Sequence, residues 1–184
     1  MRDRAARETA PRGRPGVRSL RAWALWLAVV AVIWAGSAGA RQAVDERRSM
    51  APPFSLPDLD GRTRTLTEFL GTKPIVLEFM SLACPHCRDM APVLTRLHAV
   101  YGNRVVFLTV AFDRSAARVK AFAQVQGHPW CYLLGNDAMA RAYALEGVPT
   151  FVLLGSDGRI RKVQIGTCSY DEFAQAIEGV LGAP

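Results

Sequence analysis

Apolar positions form one long uninterrupted stretch near the N-terminus and a series of short, patterned runs after it. Ala22 to Ala40 is a block of nineteen uncharged, mostly apolar residues between Arg21 and Arg41. As a helix it would extend about 28 Å, against a hydrocarbon core of about 30 Å. Residues 41–53, with Asp45-Glu46-Arg47-Arg48 and Pro52-Pro53, read as a polar spacer. Beyond it the periodicity changes every ten to fifteen residues, as in a domain that alternates strands and helices.

Phe54 to Leu59 and Arg62 to Leu66 predict two short strands joined at Asp60-Gly61, and Thr67 to Leu70 a helical turn. Pro74 to Met80 is almost continuously apolar, the pattern of a central strand covered on both faces, and Glu78 is the exception within it. Helical spacing of Met90, Val93, Leu94, Leu97 and Tyr101 predicts a helix over 85–101, and Val105 to Phe112 another buried strand. Ser115 caps a predicted helix to Gln126, with Val119, Phe122 and Ala123 on its inner face. Trp130 to Leu134 reads as a short strand, Asp137 to Leu145 as a helix ended by Gly147. Thr150 to Leu154 and Arg159 to Ile165 are strands joined through Ser156-Asp157-Gly158, and Ser169 caps a last helix to Leu181. An αβ alternation followed by a hairpin and a final helix implies an α/β domain with a mixed sheet and helices on both faces.

Charge changes the reading of the N-terminus. The net charge of +7 belongs to the tail: residues 1–50 carry ten Arg against four acids, whereas residues 51–184 carry thirteen Lys and Arg against twelve acids. A near-neutral domain has no electrostatic footprint for nucleic acid. Seven Arg precede the apolar block and only Asp3 and Glu8 oppose them, so the positive-inside bias keeps residues 1–21 cytoplasmic and sends the remainder across the membrane. Residues 22–40 are thus expected to be a single-pass anchor in the bilayer. Ala38-Gly39-Ala40 also fits a signal-processing site, and cleavage there would release the domain into the same extracytoplasmic compartment.

Cys84-Pro85-His86-Cys87 stands directly after the buried strand and opens a helix. Cys84 is then the N-cap and Pro85 the first helical residue, and the free amides and helix dipole favour negative charge on the Cys84 sulfur. Cys87, one turn inside, is the less accessible resolving thiol. As a cation beside the site, His86 would favour the thiolate further and make the disulfide more oxidising. A zinc site needs two further ligands, and His98, His128, Cys131 and Cys168 are scattered with no second paired motif. The reading calls for no metal and no cofactor. A carboxyl inside an apolar strand, as at Glu78, is expected to hold its proton well above the ordinary range and to exchange it with Cys87. The alternative is an acid at a strand end paired with a basic neighbour.

The run Ile75 to Cys87, with Pro92 five residues beyond it and Gly147-Val148-Pro149-Thr150 downstream, resembles the thioredoxin superfamily over essentially all of residues 54–182. The opening hairpin and the extra helix and strand between Val105 and Gly135 are similar to the TlpA/ResA branch of membrane-anchored thioredoxin-like proteins. The Pro85-His86 dipeptide instead resembles DsbA-type oxidases, whose helical insertion has no room here, since 65 positions separate Cys84 from Pro149. The resemblance implies a thioredoxin-like domain over 54–184. It implies a cis-proline at Pro149 facing the cysteines, and a surface of Val148, Pro149 and Pro85 on which an extended substrate segment docks. Pro92 would kink the first helix. Glu78 falls where the family carries a buried acid. Ala83 departs from the pattern, which has an aromatic residue before the first cysteine.

The expected activity is extracytoplasmic thiol-disulfide exchange with cysteines of partner proteins, served by a membrane redox partner. Its direction stays open: His86 argues for oxidation, and the TlpA/ResA-like architecture for reduction, as in cytochrome c maturation. A copper- or haem-handling chaperone on the same scaffold is the alternative, since thiolates and a nearby His suit Cu(I). Cys131 and Cys168 are expected either as a second disulfide or as two partly buried single thiols.

Overall fold

The computed structural model describes residues 50–182. The expectations for the basic tail, the apolar block and most of the spacer lie outside them. Among the described residues no helix is long and apolar enough to cross a membrane.

Two short strands, β1 (Ser55–Pro57) and β2 (Thr63–Thr65), pair antiparallel across the Asp60-Gly61 turn, where Gly61 takes a φ of 81°. A 3-10 turn, Leu66–Phe69, follows. The main sheet is built from β3 (Ile75–Met80), β4 (Val106–Ala111), β5 (Cys131–Leu134), β6 (Thr150–Leu154) and β7 (Ile160–Ile165), in the order β5-β4-β3-β6-β7. The pairs β3–β4 and β4–β5 are parallel, and β3–β6 and β6–β7 antiparallel. This is a thioredoxin-like α/β fold.

Alternation along the strands sorts the core into two faces. Ile75, Leu77, Phe79, Leu108, Val110, Val152 and Leu154 pack under the hairpin and the 3-10 turn with Phe54, Leu56 and Leu66. On the other face, Val76, Phe107, Phe151 and Leu153 meet Met90, Leu94 and Leu97 of α1 (Pro85–Tyr101) and Phe173, Ile177 and Val180 of α4 (Tyr170–Leu181). The same face continues toward the sheet's parallel edge, where Met80, Ala111 and Tyr132 pack with Cys87 and with Val119 and Ala123 of α2 (Ala116–Gln126). The helix α1 runs on without a break through Pro92.

Caps fall where the side chains foretell them. Ser115 Oγ accepts from the Arg118 amide, and Gly127 closes α2 in the left-handed region at φ 67°. Ser169 and Glu172 form a reciprocal capping box at the start of α4. Most boundaries shift by no more than two residues, and one helix end by three. The helix expected to reach Leu145 stops at Ala142, as α3 (Asp137–Ala142). The stop is made by Ala144 at φ 47°, so that the Leu145 amide reaches back to the Ala140 carbonyl at 3.0 Å. Alanine here takes the place glycine usually fills in this helix-ending pattern. Burial of Tyr143 and Leu145 against the core, with the Tyr143 hydroxyl donating to Pro52 O at 2.9 Å, holds the chain in that conformation.

Leu77 lies at the middle of β3 and is wholly buried, whereas Val125 on α2 is exposed. Leu77→Ala is expected to lower unfolding free energy by about 2–5 kcal/mol, and Val125→Ala by less than about 0.5 kcal/mol, as read from urea unfolding midpoints.

Candidate active site

The loop 81–84 connects the C-terminal end of β3 to α1 and is held from three sides. Asp113, just past β4, accepts from the Leu82 amide at 2.8 Å, and Arg88 Nη1 donates to the Leu82 carbonyl at 2.9 Å. The Cys84 amide donates to Ser81 O at 3.1 Å. This places Cys84 at the N-cap with extended backbone, followed by Pro85 at the start of the helix, which has no amide proton to leave unpaired there.

Cys84 is half-buried, and its sulfur accepts from the Cys87 amide at 3.2 Å. All four cysteines are free thiols, so the pair is in its dithiol form. The Cys84 thiol donates to the Val148 carbonyl at 3.3 Å, and the Val148–Pro149 peptide bond is cis, so the downstream loop stands against the first cysteine as the resemblance implies. Cys87 is 1% exposed. Burial pushes its thiol up to about 12, helped by the bond with Cys84 and by the charge of Glu78.

Glu78 is 3% exposed. Burial raises its carboxyl to about 7, against an opposing hydrogen bond from Thr109 Oγ1 to Glu78 Oε2 at 2.7 Å. The acid is therefore held by a hydroxyl inside the sheet rather than by a basic neighbour at a strand end. His86 lies elsewhere. Its side chain is 73% exposed, with Nδ1 3.7 Å from Asp89 Oδ2, so water and a carboxylate screen whatever charge it carries.

Sequence reasoning did not single out Thr109 or Tyr132 and weighed His128 only as a scattered metal ligand; all three are buried on the side of the sheet that carries Cys87. Thr109 was visible as the one polar residue in the apolar run Val105 to Phe112. His128 and Tyr132 carried no such signal. Cys131 and Cys168 are separate, half-buried thiols, each raised by burial.

A family model described as AhpC/TSA family matches residues 48–163, which include both cysteines, Glu78 and the Val148-Pro149 loop. The chain belongs to the AhpC/TSA family. Within this family setting, the thiol-disulfide oxidoreductase ResA of Geobacillus thermodenitrificans is 29% identical over 134 residues, 72% of this chain and 76% of the relative. The thiol:disulfide interchange protein DsbE of Allochromatium vinosum is 28% identical over 137 residues, 71% of this chain and 73% of its own length. A crystal structure of a thioredoxin-family thiol:disulfide interchange protein from Chlorobium tepidum superposes with a TM-score of 0.66 at 22% identity, over 73% of this chain and 97% of that one, and shows the shared fold. This AhpC/TSA-family chain is a thioredoxin-like thiol-disulfide oxidoreductase of the ResA/DsbE type.

The raised carboxyl has a stability signature. An unfolded Glu78 titrates near 4.5 and the folded one at about 7, so the proton is bound more tightly in the folded state. The stability this adds is fully present below pH 4.5 and is lost as pH rises through 7. For the reduced protein the loss amounts to about 3 kcal/mol, and Glu78→Gln is expected to abolish it, as measured by urea unfolding midpoints from pH 4 to 8.

Proposed function

We propose that this chain exchanges disulfides with cysteines of partner proteins outside the cytoplasm, with Cys84 as the attacking sulfur and Cys87 as the resolving one. The observation that carries this reading is the asymmetry of the pair: a half-buried Cys84 against the Val148 carbonyl, and a 1% exposed Cys87 one turn deeper. When the pair is oxidised, a partner thiolate attacks Cys84 Sγ, the Cys84–Cys87 bond breaks, and the electron pair leaves on Cys87. A buried thiolate is costly, and Glu78, poised near neutrality, supplies its proton. A second partner thiolate then attacks the partner sulfur of the mixed disulfide. Cys84 leaves, and the partner carries the disulfide away. The steps run backward when the domain acts as a reductant.

Val148 and Pro85 line the docking surface in this reading, while Pro149, expected to share it, is buried and sets the backbone beneath it. With its amide absent at Pro149, the backbone at Val148 offers an extended partner segment its remaining polar groups, as in strand addition. Ala83 is exposed beside Cys84, so no bulky ring shields the sulfur from one side.

The charge asymmetry around residues 22–40 supports a bilayer anchor or a cleaved leader, either of which sets the domain on the extracytoplasmic side. There the domain would meet a membrane redox partner that restores its working redox state. Alkaline phosphatase fused after residue 182 is expected to be active in intact cells, and inactive if the domain stays in the cytoplasm.

Direction of exchange follows from the reduction potential of the Cys84–Cys87 pair in the full chain. A value near about −270 mV would mark a reductant, such as one serving cytochrome c precursors, and a value near about −120 mV a strong disulfide donor. Cys87→Ser is expected to accumulate mixed disulfides with partner proteins and Cys84→Ser to form none, as seen on non-reducing gels. Equal trapping by the two variants would overturn the assignment of roles.

A further inference from the structure

Glu78 stands opposite Thr109 in the β3–β4 register, and among the described residues the Thr109 hydroxyl is its one side-chain hydrogen-bond partner, 2.7 Å from Oε2. Thr109 is 0% exposed, so its hydroxyl has no water to turn to instead. A second bond fixes what that hydroxyl does. Trp130, just before β5, donates from its indole Nε1 to Thr109 Oγ1 at 3.0 Å. An indole N–H only donates, so it occupies one of the two lone pairs on the Thr109 oxygen and leaves the hydroxyl proton and the other lone pair for Glu78. The indole is itself held in place. Its ring stacks on His128 with centroids 4.0 Å apart and packs beside His98 and Phe107 at 5.0 and 5.4 Å.

We infer that Thr109, oriented by Trp130, is the positioning residue that sets the pH at which Glu78 takes up and gives up its proton. The consequence for disulfide exchange rests on the reading of Glu78 as the acid that serves Cys87; the effect on Glu78 itself does not.

A hydrogen bond to a carboxylate is charge-assisted and roughly twice as strong as one between neutral groups, so the Thr109 bond favours the ionised acid and opposes burial. Donation from Trp130 into the same oxygen draws electron density from the hydroxyl and makes its proton a better donor. When Glu78 is protonated the same two oxygens still bond, with either as the donor. The hydroxyl therefore serves both states and favours the charged one, and the upward push of burial stops at about 7. Without that bond the carboxyl would stay protonated well above neutrality. It could then give a proton when the disulfide opens but would take one back poorly when the disulfide forms. The bond keeps both directions of exchange open near neutral pH.

The other groups around Glu78 offer no substitute. Those that titrate and interact with it are Cys87 of α1 and Tyr132 of β5, both pushed up by burial and neutral near pH 7. On β6 its opposite residue is Phe151, and α2 meets this side of the sheet with Val119 and Ala123. None of these is a cation, so the stabilisation of the carboxylate falls to the hydroxyl.

A hydroxyl with a merely structural role would change stability and leave that pH alone. The test titrates the reduced full chain by infrared spectroscopy, following the C=O band of the protonated carboxyl that Glu78→Gln lacks. Thr109→Val keeps the branched shape and removes both hydrogen bonds, and its midpoint is expected about one pH unit above that of wild type. Thr109→Ser, which retains the hydroxyl, is expected to titrate with wild type, and Trp130→Phe, which loses the indole N–H, to fall between. A wild-type midpoint in Thr109→Val overturns the inference, and so does an equal displacement in Thr109→Ser. A wild-type midpoint in Trp130→Phe overturns the part given to Trp130, and that variant decides alone should Thr109→Val fail to fold.

The same variants are then reduced by dithiothreitol between about pH 5 and about pH 9, with acid quench and alkylation. Dividing each rate by that of Glu78→Gln at the same pH cancels the ionisation of the reductant. The midpoint of this ratio is expected to move with the infrared midpoint. An infrared midpoint that moves beside a ratio independent of pH in every variant supports the tuning of Glu78 by Thr109 and overturns the service of Glu78 to Cys87.

Discussion

Glu78 sits on the central strand of the sheet, between β4 and β6, with helices over one face and the N-terminal hairpin over the other. A carboxyl in that position is poorly solvated and held by a single hydroxyl, so burial raises it to about 7. Thr109 must be polar because Glu78 is. Because Thr109 is fully buried in turn, its own oxygen is satisfied by Trp130. Among the described residues no buried side-chain nitrogen or oxygen lacks a partner, which is what a low-dielectric interior requires when polar groups are admitted to it.

The two thiols divide their tasks for related reasons. Cys84 ends a loop and caps a helix, where amide protons are unspent and a neighbouring carbonyl marks the approach of a partner. Cys87 is covered by Met80, Ala111, Val119 and Tyr132, and burial there penalises its thiolate. The sulfur that must meet a partner is accessible without being mobile, because Asp113 and Arg88 fasten the loop on either side of Leu82. The sulfur that must wait is protonated until the disulfide chemistry reaches it.

Much of the fold was legible along the chain, since most of its elements are set by local rules. The run Ile75 to Met80 could only be a covered strand, and α1 and β6 begin and end where periodicity and proline placed them. The exception was α3, whose end depends on Tyr143 and Leu145 finding the core and on Ala144 accepting a left-handed conformation to let them. A rule that waits for glycine does not see such an ending. The direction of the His86 side chain was not legible either: the helix turns it out to Asp89, which adjacency in sequence does not indicate.

The sequence by itself determined the sheet's composition, the placement of Cys84 and Cys87 one helical turn apart, and the presence of an acid within an apolar strand. These follow from chain-local physics: side-chain period, helix capping and the fixed geometry of proline. Tertiary structure alone decided what the acid is connected to. Glu78, Thr109 and Tyr132 are separated by dozens of residues and become neighbours only through the register of β3, β4 and β5. A one-residue slip in either pairing would send those side chains to the opposite face.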